Sequence, residues 1–209
     1  MKWISLFFIL LCGCQTFDSS VQPKSLTDAP VVIFVYGLNG QDKGGLWYIQ
    51  EDVAKARPDM NLTRMYWDDT YADPPGLIPG VTEDSRVYKL LKPGQKIVLV
   101  GHSFGGDKVV ELCSSYKSKG IQIEELILLD PVPRSHAGFL NVLDYQIPTN
   151  VKHTTCIYRR AIIPPYSCYV RYSETPYDNV RIPLTGHGLG ISTHPDRADL
   201  VAEKIIAVK

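Results

Sequence analysis

The sequence predicts an α/β fold, a mainly parallel sheet with helices on both faces, on three observations. From Pro30 onward, short apolar runs of strand length alternate with segments that repeat apolar residues at helical spacing. Several runs are apolar at nearly every position rather than every second one, as in strands buried on both sides. One of them, Lys96-Ile97-Val98-Leu99-Val100, passes without a spacer into Gly101-His102-Ser103-Phe104-Gly105 and then into a helical pattern.

The chain opens on a short positive end, Met1-Lys2-Trp3, and an apolar run from Ile4 to Leu11 that is too brief to span a bilayer and reads as an export signal. The run closes in Leu11-Cys12-Gly13-Cys14, which resembles a bacterial lipobox. By that resemblance residues 1–14 are a signal peptide and Cys14 is the residue that receives lipid. The same resemblance, with Gln15 next, implies a lipid-anchored place in the bacterial cell envelope, on the outer membrane facing the periplasm. Residues 15–29 are polar and aperiodic, a tether. The remainder, 30–209, is long enough for one domain with a single core. The 22 basic and 22 acidic residues balance to a formal net charge of +0, which leaves no basic stripe for nucleic acid.

Within the domain, Val31 to Tyr36 is the first strand, and Gly44 to Arg57 a helix with Leu46, Ile49, Val53 and Ala56 on one face, stopped by Pro58. Asn61 to Trp67 is the second strand. Asp68 to Gly80, rich in proline and glycine, is a loop, and Thr82 to Leu91 a short helix capped by Thr82. After the serine comes a helix from Asp107 to Tyr116 carrying Val109, Val110, Leu112, Cys113 and Tyr116. Glu125 to Leu129 is a strand ended by Asp130-Pro131-Val132-Pro133, and Arg134 to Asn150 is irregular. Thr154 to Arg159 and Val180 to Leu184 are the remaining strands, and Asp196 to Val208 is the closing helix.

Chemistry concentrates at Ser103. A serine on a sharp strand-to-helix turn needs tiny residues two before and two after it, which Gly101 and Gly105 supply. The helix start then brings unpaired N–H groups and the positive dipole end beside the hydroxyl. Among the body cysteines, Cys113 sits on the inner face of a helix as a buried thiol, while Cys156 and Cys168 are spaced for a bridge in an oxidising compartment. No metal-ligand spacing occurs among them.

From Pro30 to Lys209 the order of parts resembles a small α/β-hydrolase of the serine esterase and lipase kind, a three-layer fold whose triad follows the chain order Ser, Asp, His. The resemblance implies Ser103 as nucleophile. It implies an acid at a strand end, Asp130, or after the following strand, Glu174 or Asp178. It implies a base in the loop before the last helix, His187 in Thr185-Gly186-His187-Gly188, with His194 as the other choice. Tyr36-Gly37-Leu38-Asn39-Gly40 is similar to the turn by which such enzymes present a backbone N–H, so Leu38 and Phe104 would donate to the oxyanion, with Tyr36 where a histidine is usual. His102, His136 and His153 read as structural or solvated. No metal or organic cofactor is implied. The substrate expected is a small, partly apolar ester, because Tyr66 to Gly80 and Arg134 to Asn150 carry Trp67, Tyr71, Leu77, Ile78, Phe139 and Leu140. Transfer of the acyl group to another alcohol, or a lipid-anchored binding protein without turnover, are the alternatives.

Overall fold

A computed structural model describes residues 28–37, 45–67, 94–133, 145–159, 169–182 and 195–209. In chain order the elements are β1 (Val31–Tyr36), α1 (Gly45–Ala56), β2 (Asn61–Tyr66), β3 (Ile97–His102), α2 (Phe104–Ser118), β4 (Glu125–Leu129), β5 (Tyr145–Ile147), β6 (Thr154–Arg159), β7 (Val170–Ser173), β8 (Tyr177–Ile182) and α3 (Pro195–Ile206).

Six strands form one sheet in the order β2-β1-β3-β4-β6-β8, and every neighbouring pair is parallel. The continuous apolar runs of β1, β3 and β4 are the strands buried on both faces. Alternate residues serve opposite layers. Ile33, Val35, Leu99, Leu126 and Leu128 pack with Val109, Leu112, Cys113 and Tyr116 of α2. Val32, Phe34, Val98, Val100 and Leu129 pack with Leu46, Ile49 and Val53 of α1 and with Val201 and Ile205 of α3. The result is a three-layer arrangement, as the sequence predicts. Arg57, just past α1, locks the last layer by donating from Nη1 to the Ile206 and Val208 carbonyls at 2.9 and 3.1 Å.

The chain runs from β1 outward to β2 and then returns to the other side of β1 as β3. The strand order therefore reverses between β1 and β3, and the crevice at their carboxyl ends is where parallel α/β sheets bind ligands.

Two expectations need correction. Arg134 to Asn150 is not irregular throughout: Tyr145–Ile147 is a strand that pairs in parallel with Val170–Ser173 as a separate two-stranded sheet. Three residues, with Tyr145 and Ile147 buried and Gln146 exposed, are too few for a periodic signal. The last strand begins at Tyr177 rather than Val180, because register with β6 pairs Thr154 with Tyr177 and carries the polar Tyr177-Asp178-Asn179 into the sheet's exposed edge. The predicted helix Thr82 to Leu91, the leader and most of the tether lie outside the described residues.

Candidate active site

Ser103 joins β3 to α2 with φ 54° and ψ −124°, a backbone conformation that side-chain-bearing residues rarely adopt. Such strain costs about 1–3 kcal/mol and persists only where the surroundings over-determine it. Three hydrogen bonds do so. The Ser103 N–H donates to the Leu129 carbonyl at 3.0 Å, and the Ser103 carbonyl accepts from the Gly106 N–H at 2.9 Å and the Val132 N–H at 3.0 Å. Glycine is required around it by contact. A β-carbon at 101 would run into the Gly105 carbonyl and stand 2.6 Å from Val109 Cγ2, one at 105 would strike the Val35 carbonyl, and one at 106 would lie 2.5 Å from Pro131 Cβ. Ser103 occupies the N-cap position of α2, where serine ordinarily bonds a first-turn amide, yet it makes no side-chain capping bond. The turn is thus strained and held from three sides.

Asp130 stands beside it. Register pairs His102 with Leu129, so the next residues, Ser103 and Asp130, leave adjacent strands at the same carboxyl edge, about 5 Å apart at the strand spacing. Asp130 is 2% exposed and has φ 44°, again outside the usual regions although aspartate tolerates it better than most residues. Its N–H donates to the Ile157 carbonyl at 2.7 Å, and two residues on Val132 holds the Ser103 carbonyl, so the two turns form one hydrogen-bonded unit.

On the opposite flank, buried Gly37 follows β1 across the crevice. A β-carbon there would lie 2.7 Å from Ser103 Cβ and 3.3 Å from the Phe104 nitrogen, so bare backbone is what lets β1 end against the serine. Phe104 opens α2, so its N–H is one of the first-turn donors at the helix start. The Tyr36 side chain is buried in the α1 layer, and its hydroxyl donates to Gln50 Oε1 at 3.1 Å. Trp67 comes to the same edge: its N–H donates to the Tyr36 carbonyl at 2.9 Å and its ring meets that of Phe104 edge-on, centroids 5.1 Å apart at 65°. Neither the Gly37 contact nor the Trp67–Phe104 pair could be read from the sequence, where a glycine after a strand signals only a turn and the two aromatics are 37 positions apart.

The other acids fall elsewhere. Asp178 is the second residue of β8 and pairs with Thr155, four residues short of the carboxyl edge or about 13 Å along the strand. There it faces His153 Nε2 at 3.4 Å and Lys204 Nζ at 3.3 Å. Glu174 precedes β8 at that same amino edge. His153 is engaged structurally, its Nδ1–H donating to the Glu125 carboxylate at 2.9 Å, while Thr155 Oγ1 donates to Glu125 at 2.8 Å. His102 is half-buried at the end of β3. Cys113 is a buried free thiol, pushed well above its ordinary pKa by burial, and Cys156 is fully buried in the same core layer. His187, His194, His136, Leu38, Cys14 and Cys168 lie outside the described residues. Among the described residues no three His, Cys, Asp or Glu side chains are disposed to hold a metal ion.

No family model and no curated protein matches the chain. Solved structures do. A protein of Lactobacillus plantarum WCFS1 classed as a cell surface hydrolase superposes with a TM-score of 0.53 at 11% identity, over 86% of this chain and 90% of that one. The chain has an α/β-hydrolase fold. Looser likenesses include Est1E of Butyrivibrio proteoclasticus, TM-score 0.48 at 16% identity over 88% of each chain. The type II thioesterase BorB of the borrelidin biosynthetic cluster matches with TM-score 0.47 at 15% identity, over 84% of this chain and 92% of that one.

Proposed function

We propose that the protein is a serine hydrolase that cleaves a small, partly apolar ester through an acyl-enzyme on Ser103. The observation that carries this reading is the Ser103 turn itself: φ 54° on a side-chain-bearing residue, held by three backbone bonds and framed by glycines whose positions leave no room for a β-carbon. Asp130, buried on the adjacent strand end, supports it, because a triad needs an enclosed carboxylate to orient an imidazole. In this reading His187 takes the Ser103 proton as Oγ attacks the ester carbonyl. The tetrahedral oxyanion is stabilised by the Phe104 and Leu38 amides, and the proton passes to the departing alkoxide. Water then attacks the acyl-enzyme by the same route in reverse roles, releasing the acid and restoring Ser103.

Steady-state hydrolysis of p-nitrophenyl acetate by the wild type and Ser103→Ala tests the reading. Turnover by the wild type with a loss on the order of 10⁴–10⁶ in the variant supports it. Turnover undiminished in Ser103→Ala rejects Ser103 as the nucleophile, whereas turnover absent from a folded wild type that still binds the ester favours a binding role. Acyl transfer would appear as ester exchange when a second alcohol is supplied.

The lipid anchor at Cys14 belongs to the same proposal and rests on the leader sequence alone. Loss of radiolabelled palmitate incorporation in Cys14→Ser supports it, and unchanged incorporation rejects it. A Cys156–Cys168 bridge is likewise read from spacing. Two protected thiols in the denatured mature protein support it, and three reactive thiols reject it.

A further inference from the structure

We infer that the edge-to-face pair Trp67 and Phe104 forms the acyl-side wall of the site and selects esters whose acyl group is apolar. This rests on the serine-hydrolase reading of Ser103 and adds to it the side on which each half of the substrate lies.

The two flanks of Ser103 differ in kind. Towards β4 stands Asp130, a buried carboxyl side chain. Towards β1 and β2 stand Gly37, Phe104 and Trp67, which carry no ionisable side chain. A base that is oriented by Asp130 and also reaches Ser103 must stand on the β4 flank. The leaving alkoxide takes its proton from that base, so the alcohol half departs on the same flank. The carbonyl oxygen turns to the Phe104 amide. The remaining substituent of the tetrahedral carbon, the acyl group, is thereby directed over Gly37 towards β2.

What it meets there is fixed. Trp67 directly follows β2 and is tied to β1 by its N–H bond of 2.9 Å to the Tyr36 carbonyl. Phe104 is anchored in the first turn of α2. Their rings, 5.1 Å apart at 65°, thus join the end of β2 to the start of α2, on the β1 side of the sheet from β4. Both are half-buried, so each keeps apolar surface for a ligand to cover. Aromatic pairs in this geometry hold each other in place beyond simple burial, which makes the wall rigid as well as apolar. An apolar acyl group gains by covering it, whereas a charged one loses its hydration without a partner.

The test compares two ester series on the wild type, Trp67→Ala and Trp67→Phe. One series varies the acyl group under a constant p-nitrophenol leaving group, acetate against butyrate. The other keeps the acetyl group and varies the alcohol. Trp67→Ala is expected to lower kcat/KM for the butyrate roughly tenfold more than for the acetate, the scale of one or two methylenes in an apolar pocket, with the alcohol preference unchanged. Trp67→Phe should keep most of the acyl preference, and it carries the comparison if the alanine variant does not fold. An equal loss across the acyl series, or a change in the alcohol series instead, overturns the wall. Hydrolysis that survives Ser103→Ala strikes the hydrolase reading, whereas Ser103-dependent hydrolysis with unaltered acyl preference strikes only this inference.

Discussion

A β-carbon placed on Gly37 would lie 2.7 Å from Ser103 Cβ, so the end of β1 and the serine turn are in contact through bare backbone at the point where the sheet order reverses. The same β-carbon would stand 3.3 Å from the Phe104 nitrogen, beside the donor assigned to the oxyanion. Gly37→Ala should therefore lower kcat by about 10²–10³, the scale of losing one such donor. Stopped-assay ester kinetics with a thermal melt checks this. A folded variant within threefold of wild-type kcat would place the oxyanion elsewhere.

Asp130 combines near-complete burial with φ 44°, and asparagine tolerates that backbone region as well as aspartate does. Asp130→Asn should keep the turn and the melting temperature within a few degrees, yet lose on the order of 10³–10⁴ in kcat because an amide cannot stabilise an imidazolium. Asp178→Asn, at the other end of the sheet between His153 and Lys204, should leave kcat unchanged. Measuring kcat for both variants decides between the two acids, and a reversed pattern would move the acid to β8.

Triad members act as a unit, so His187→Ala should cost nearly as much turnover as Ser103→Ala, and the double variant little more than either. His194→Ala should be mild. Rates of the four variants on one aryl ester test this, and a crippled His194→Ala would shift the base towards α3.

Cys113 is wholly buried on α2, and burial holds its thiol protonated far above the ordinary pKa of 9.0. The shift is upward, so below pH 8 folded and unfolded chains both keep the proton and the group adds no slope. Above about pH 9 only the unfolded chain releases it, and stability falls by up to about 1.4 kcal/mol per pH unit. Urea midpoints at pH 8 and pH 10 should drop more for the wild type than for Cys113→Ala. Equal drops would mean that the thiol ionises in the folded protein.

How far the sequence reveals the fold depends on what surrounds each strand. Strands enclosed on both faces, β1, β3 and β4, are continuous apolar runs and were legible, as was β6, whose expected bounds Thr154 and Arg159 are those observed. β5 and β7 exist through each other rather than through any pattern of their own, and β8 begins in polar residues because it is an edge. At the site, two glycines framing a serine after an apolar strand were enough to find the turn. That Asp130 and Asp178 lie at opposite ends of the sheet was not legible, because it depends on which end of a parallel strand each residue occupies, and register alone decides that.

The central claim is that Ser103 is an activated nucleophile. Its most direct measurement is peptide mapping by mass spectrometry after treatment with a fluorophosphonate. A single adduct on the Ser103 hydroxyl is expected, absent from Ser103→Ala and strongly slowed in Asp130→Asn. A folded wild type that takes no adduct, or takes it on another residue with equal yield in Ser103→Ala, would contradict it.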